Sequence, residues 1–482
     1  MRPGQDVIIV GSGAGGAAVA FAMVKAGCRV LLLERGGFLP RDGSTLDVRA
    51  VFASGRYRNR ELWVDGENRE LVPDEHYNVG GKTKWYGAAL LRFSPHELEA
   101  DAAHQCLSWP FGYEELAPFY AAAEELLHVN RFDNEPELQA LIDRIVTRDP
   151  TWRVESLPLG LKPEILKDER EAKHFDGFAS VSGYKSDAER NLIERIENDP
   201  SFTLLTEKRV AGLLHAEGAP TRITGVRCAD GATYSAPAVV LAAGAMTSPR
   251  LLQDYVAETG LGSSLPSADL IGANFKFHLN SAILGVSPFQ MHDVLRKTAI
   301  FFNDAFPHST VQCLGWMDGE ILATQLPGAV PDFVSDALGS RAIGFFATTE
   351  DGSSAKNRVI SRGTEGMPIL DYDLERIRPS HDEHQALVHA FEHQLLRAGL
   401  VGVNRYSGLA GTAHAVGSLV TGADARSSVV DPRGKVHGFE NLYVGDGSVL
   451  PRTSRVNPAL TIYAWGLRLG EHLAAGLAQG LR

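Results

Sequence analysis

Between Val7 and Arg35 the sequence VIIVGSGAGGAAVAFAMVKAGCRVLLLER sets Gly11-Ser12-Gly13-Ala14-Gly15-Gly16 between two apolar stretches. The spacing Gly11-x-Gly13-x-x-Gly16 allows a sharp turn, admits a pyrophosphate against bare amides and lets a helix pack close to a strand. A helix starting there offers phosphate oxygens unsatisfied N–H groups and a partial positive charge. Glu34 follows Gly16 by 18 residues, where a carboxylate can accept hydrogen bonds from ribose hydroxyls. Glycine clusters alone occur in many loops. Here strand, turn, helix, strand and acid stand in the order that dinucleotide binding needs. A carboxylate at Glu34 repels a 2′-phosphate, which disfavours NADP, but it does not separate NAD from FAD.

Further polar groups collect in the last 70 residues. Gly411-Thr412-Ala413-His414-Ala415-Val416-Gly417-Ser418 comes first. Leu442 to Val444 then reads as a strand delivering Gly445-Asp446-Gly447, a place for a second contact to the nucleotide ligand. Asn457 precedes Pro458, so it is biased to extended geometry just before a helix starts. His437, in Val-His-Gly-Phe, reads as a residue that packs or caps a turn.

These groups need elements to position them. Val7 to Val10 reads as a buried parallel strand, Ala17 to Lys25 as a helix ended by Gly27, and Arg29 to Leu33 as a second strand. The loop Val79 to Ala89 combines Gly80, Gly81 and Gly87 with Thr83, Trp85 and Tyr86, so its backbone can approach a flat ligand that an aromatic walls. A helix opens near Tyr113 and runs to about His128. Phe202 to Val210 and Ile223 to Arg227 read as short strands joined by a polar hairpin. Ala238 to Ala245 reads as a buried strand, followed by a helix that Pro249 begins and Ser248 caps. Between Phe275 and Asn404 the runs Ser281 to Val286, Thr298 to Phe302 and Ala342 to Thr348 predict a separate sheet. The long helix after them, with Ser380 and Glu383 as a capping box, carries His381, His384, His389 and His393. Their spacing puts pairs on one face, but no zinc-type motif accompanies them. A solvated histidine-rich face and no metal are expected.

Composition bounds the rest. A chain of 482 residues suggests two or three structural units. With 44% hydrophobic and 22% charged residues it reads as a soluble globular protein. A formal net charge of −12 disfavours nucleic-acid and anionic-membrane partners. No apolar run approaches the roughly 18 residues that span a bilayer, and Met1 to Asp6 leaves no room for a signal peptide before the first strand. Cys28, Cys106, Cys228 and Cys313 lie far apart and read as buried thiols. A cytoplasmic location is expected. The oligomeric state, homo-oligomer included, is not legible.

Together these residues resemble the glucose-methanol-choline (GMC) oxidoreductases, flavoenzymes that oxidise alcohols. The resemblance covers the GSGAGG unit, the Gly80-Gly81 loop, Ala243-Gly244-Ala245-x-x-Ser248-Pro249 and everything after Thr412. In that family a histidine in an H-x-x-G-[TS] setting pairs with a later histidine or asparagine. Here His414-Ala-Val-Gly417-Ser418 is followed 43 residues on by Asn457. Trp109-Pro110-x-x-Tyr113-x-x-Leu116 and Val456-Asn457-Pro458-x-Leu460-Thr461 are most similar to pyranose oxidases and the bacterial glycoside 3-oxidase (C-glycoside oxidase) group.

The resemblance implies an α/β fold, α+β overall: a Rossmann-like FAD-binding domain and a substrate domain with an antiparallel sheet, in a GMC or p-hydroxybenzoate-hydroxylase-like architecture. It implies an FAD domain from 1–95, 191–275 and 405–482, and a substrate domain from 96–190 and 276–404. His414 becomes the base, a role suited to neutral imidazole near neutral pH, and Asn457 its orienting partner, able to hydrogen-bond but not to take a proton. Arg35, Val210, Asp446, Gly447, Pro458 and Leu460 complete the cofactor contacts. Fungal pyranose oxidases attach FAD through a histidine in the Gly–Gly loop. Between Gly80 and Phe93 there is none, with Trp85 at the matching position, so non-covalent FAD is expected. The implied activity is oxidation of a secondary sugar hydroxyl, at C3 or C2, with oxygen or a quinone as electron acceptor. The alternatives are dehydrogenation of another polyol or alcohol, and a redox-silent lyase.

Overall fold

The computed structural model describes residues 4–326, 330–363 and 366–479. Its centre is a parallel five-stranded sheet of β1 (Val7–Val10), β2 (Val30–Leu33), β6 (Phe202–Leu205), β10 (Ala238–Leu241) and β18 (Leu442–Val444), in the order β18-β10-β1-β2-β6. Val7 pairs with Val30 on one side and Ala238 on the other. The inner strands are apolar on both faces because helices cover both. One cover is α1 (Ala14–Lys25), crossed closely by α9 (Ala459–Ala478). That crossing needs small residues: a Cβ on Gly466 would lie 2.6 Å from the Gly15 carbonyl oxygen, and one on Gly470 2.6 Å from Ala22 Cβ. The carboxyl ends of β1, β2, β10 and β18 share one edge. Gly11, Glu34, Ala243-Gly244 and Asp446 therefore converge there although up to 435 residues separate them.

The second large sheet is antiparallel, in the order β17-β11-β14-β13-β12-β5. It comprises β5 (Trp152–Ser156), β11 (Leu279–Val286), β12 (Ala299–Asn303), β13 (Ser309–Cys313), β14 (Ala342–Thr349) and β17 (Val401–Tyr406). Its two-residue alternation divides labour. Val311, Cys313, Phe345 and Ala347 pack against α3 (Pro136–Arg148) and α8 (Arg378–Arg397). Gln312 and Phe346 face the other way, into a cavity above the first sheet. The remaining strands form two small sheets. One is β7 (Val210–Ala216), β8 (Ala219–Cys228) and β9 (Thr233–Ser235). The other is β3 (Trp63–Asp65), β4 (Glu70–Leu71), β15 (Arg358–Ile360) and β16 (Ile369–Asp371). Helices α2 (Tyr113–Leu126), α4 (Glu169–Lys173), α5 (Ser248–Thr259), α6 (Gly319–Ala323) and α7 (Asp332–Gly339) complete the list. No described helix is long and apolar enough to cross a membrane.

Several local expectations are corrected. The run 202–210 is not one strand: Glu207 takes a left-handed φ of 56° and turns the chain, so Val210 starts β7 instead of ending β6. Ser248 does not cap α5. Its hydroxyl accepts the Ala243 N–H (3.0 Å) and donates to Asp446 Oδ2 (2.5 Å). Ser380 and Glu383 form no capping box, because α8 already begins at Arg378. Ser380 Oγ accepts the Gly352 N–H, and Glu383 Oε1 accepts from His308 N and Ser309 Oγ. The histidine face of α8 is not uniformly solvated either, since His384 is buried between Ser281 and Thr349. β15 and β16 share a sheet with β3 and β4, from the N-terminal part of the chain.

Candidate active site

A cavity of about 730 Å³ lies between the carboxyl edge of the parallel sheet and the inner face of the antiparallel one. Gly11 to Gly15 line it at the start of α1. A Cβ added to Gly13 would meet no neighbouring atom, so this backbone faces open space. A Cβ on Gly15 would overlap the Gly445 carbonyl oxygen. Glycine at 13 thus keeps the cavity open, and at 15 it lets the β18 loop close on the helix. Glu34 Oε2 accepts the Ser12 N–H (2.9 Å) and hydroxyl (2.6 Å), and its Oε1 accepts the Gly36 N–H (2.8 Å). Burial raises its carboxyl above the ordinary range while these donors oppose the shift. Beside it, the Arg35 guanidinium lies 3.8 Å from the Tyr77 ring centroid.

The Gly–Gly loop is fixed to the same corner. Gly80 N–H donates to Ser12 Oγ (3.1 Å), and Thr83 Oγ1 donates to the Gly80 carbonyl (2.6 Å). Lys84, buried, pairs with Asp187 and Glu189. Trp85 donates to Asn78 Oδ1 and stacks on His76 and Tyr57, while the Tyr86 hydroxyl donates to the Ser186 carbonyl. Gly81, Thr83, Trp85, Tyr86 and Gly87 all reach the cavity, as do Val210, Ala243, Gly244, Gly447 and Pro458.

Four candidate contacts stand behind the wall instead. Gly16 packs against the Gly11 carbonyl, Gly80 sits under the loop, Ser248 ties two loops and Leu460 is a core residue. Asp446 lines the cavity, but its carboxylate is engaged by protein donors. It accepts from Gly244 N, Ser248 Oγ, Ser448 N and Ser448 Oγ, clamping the β10 and β18 loops together.

At the other end His414 and Asn457 share one wall, with Asn457 Nδ2 3.4 Å from His414 Nε2. Burial, with smaller repulsion from His278, Lys82 and Lys297, pushes the His414 pKa well below 6.5, so its imidazole is neutral at neutral pH. Gln312 Nε2 donates to Asn457 Oδ1 (2.6 Å), which turns the amide N–H groups toward His414. Lys297 pairs with Asp176 (2.9 Å) on the same cavity. Behind His414 stands His278, with Nδ1 2.7 Å from His414 Nδ1. Sequence reasoning passed over Gln312, Lys297 and His278, which lie outside any motif. The sole signal was a polar residue recurring in apolar strand-like runs. Histidines 381, 384, 389 and 393 have no place in the site. The described residues do bring Cys106, His308 and Glu350 together, but the Arg452 guanidinium forks both Glu350 oxygens (2.8 and 2.6 Å) and opposes a cation there.

Residues 6–267 match the family model described as FAD dependent oxidoreductase, and residues 378–466 the one described as GMC oxidoreductase. The chain is 28% identical to paromamine 6′-oxidase of Streptomyces fradiae, and 27% identical to 6‴-hydroxyparomomycin C oxidase of Streptomyces lividus. Each alignment covers 98% of this chain and 92% of the relative. The solved structure of Aspergillus oryzae formate oxidase superimposes with a TM-score of 0.70 at 15% identity, covering all of both chains, which speaks for the fold.

Proposed function

This chain belongs to the GMC oxidoreductases, FAD-dependent enzymes, and from that premise we propose that it oxidises a secondary hydroxyl, at C3 or C2, of a pyranose sugar or glycoside. The residues present fit FAD: the open backbone at Gly13, the α1 N-terminus and the Glu34 carboxylate would hold its nucleotide half without a covalent bond. Bound FAD supplies the hydride acceptor, at flavin N5. The rest of the chemistry belongs to the chain. His414, kept neutral by burial, takes the hydroxyl proton. Asn457, its amide oriented by Gln312, donates a hydrogen bond to the substrate oxygen. The antiparallel sheet, through Gln312 and Phe346, forms the substrate wall.

The observation that carries this reading is the pair His414 and Asn457, 3.4 Å apart on one cavity wall. The test is anaerobic mixing of the yellow holoprotein with a panel of sugars, glycosides and aminoglycosides, followed by turnover with oxygen or a quinone dye and NMR of the product. A pyranose that bleaches the flavin and emerges as a ring ketone supports the proposal. Bleaching by no sugar would sink it, and turnover without bleaching would point to a lyase. A hydroxyl of an aminoglycoside is the second reading, favoured by the names of the two relatives.

A further inference from the structure

We propose that His278 is a positioning residue that fixes the ring protons of His414, so that Nε2 faces the cavity as a bare proton acceptor. This rests on the reading of His414 as the base. The assignment follows from which atoms can donate. His278 Nε2 lies 2.8 Å from the Ser454 carbonyl oxygen, which only accepts, so His278 carries its proton on Nε2. His278 is fully buried, and burial lowers its pKa, so the ring is neutral and its Nδ1 is bare. His414 Nδ1, 2.7 Å away, must then be the donor. Neutral His414 has one ring proton, and with that proton on Nδ1 its Nε2 keeps a lone pair. The neighbouring amide agrees: Gln312 occupies Asn457 Oδ1, leaving Nδ2–H groups toward His414 Nε2, where an acceptor is required.

The anchor behind His278 is itself built. Ser454 holds a left-handed φ of 63°, a strained conformation for a residue with a side chain. Its N–H donates to Glu350 Oε1 (3.0 Å) and its hydroxyl to Glu97 Oε1 (2.5 Å). Glu350 is clamped in turn by Arg452. This lattice keeps the strained carbonyl aimed at His278, and through it the proton of His414 stays on the side away from substrate. When Nε2 takes the hydroxyl proton, Nδ1 keeps its own and still donates it to His278, so no second proton has to move.

Two amides of near-histidine size separate positioning from packing. His278→Asn places an amide oxygen where Nδ1 stands and keeps an acceptor for His414. His278→Gln extends its amide to the Nε2 site, which keeps the Ser454 contact but not that acceptor. Holoproteins of wild type, both variants and His414→Ala are compared by anaerobic flavin reduction. In parallel, ¹⁵N-histidine NMR without substrate reads the His414 ring nitrogens. His278→Asn is expected near the wild-type rate with the Nδ1–H tautomer retained. His278→Gln is expected slower, on the order of 10–100-fold, with mixed tautomers. Equal rates for the two amides, or an Nε2–H tautomer in the wild type, would overturn the proposal. If His414→Ala is slow while the two amides are equal, only the role of His278 fails. If His414→Ala matches the wild type, the assignment of the base fails with it.

Discussion

His414 has a pKa well below 6.5 because its cavity wall disfavours a charged ring, and that sets the pH behaviour of the site. The base form is present above that lowered value and is lost only as pH falls through it. Stopped-flow flavin reduction is therefore expected to stay flat from pH 8 down to 6.5 and to fall only at lower pH. A limb centred at or above 6.5 would contradict this. His414→Ala should lose on the order of 10²–10⁴ in reduction rate while FAD stays bound and dithionite still bleaches it. Asn457→Ala should lose less, since it misplaces the alcohol without removing the proton acceptor. Acid precipitation should release FAD into the supernatant, because the Gly80 to Phe93 loop holds no histidine. Flavin left in the pellet would implicate another side chain, with His76 on the cavity wall as the first to test.

At the scale of elements, the start of α1 asks two different things of two glycines. Gly13 faces open cavity, so Gly13→Ala should leave the melting temperature of the apoprotein unchanged and weaken FAD binding in a titration. Gly15 touches the β18 loop, so Gly15→Ala should destabilise the apoprotein itself, by about 1–3 kcal/mol or more as overpacking. Equal effects of the two would refute the distinction. The antiparallel sheet makes its own prediction. Gln312 and Phe346 alternate with core residues along β13 and β14, so Gln312→Ala and Phe346→Ala should change sugar preference in kcat/KM without lowering FAD content. Loss of flavin from these variants would remove the sheet from the substrate wall.

The whole molecule should be sensitive to acid. His104, His174, His278, His384 and His414 all have pKa values lowered by burial, that of His384 to about 4. The unfolded chain then binds more protons than the native one below about pH 6.5, and stability falls as pH drops from there toward 4. Other groups add to or oppose this, and the buried carboxyls of Glu34, Glu75, Asp351 and Asp446, raised by burial, work against it. The Glu350 carboxyl is held far below its usual range by Arg452 and His308 against the cost of burial, and its contribution is also lost on acidification. His308, raised by Glu350, works in the other direction. Thermal melts of the holoprotein should show the melting temperature declining from pH 6.5 to 4, and a flat profile would refute the linkage.

What could be read without coordinates was what neighbouring residues settle among themselves. The strand, turn, helix and strand ending at Glu34 lie within 29 residues, and their order is dictated by apolar runs and glycines that act locally. The apolar runs of β10 and β18 were legible for the same reason. Asp446 and Ser248 were visible as polar residues, but their mutual bond spans 198 residues, and only the parallel pairing of β10 with β18 brings them together. His278 shows the limit most clearly. The run Phe275-Lys276-Phe277-His278-Leu279-Asn280 alternates apolar and polar residues, yet Lys276, His278 and Asn280 are all buried. β11 begins only at Leu279, and His278 is covered by His414, 136 residues away, and by the Ser454 carbonyl, 176 away, because burial belongs to the packing of distant elements.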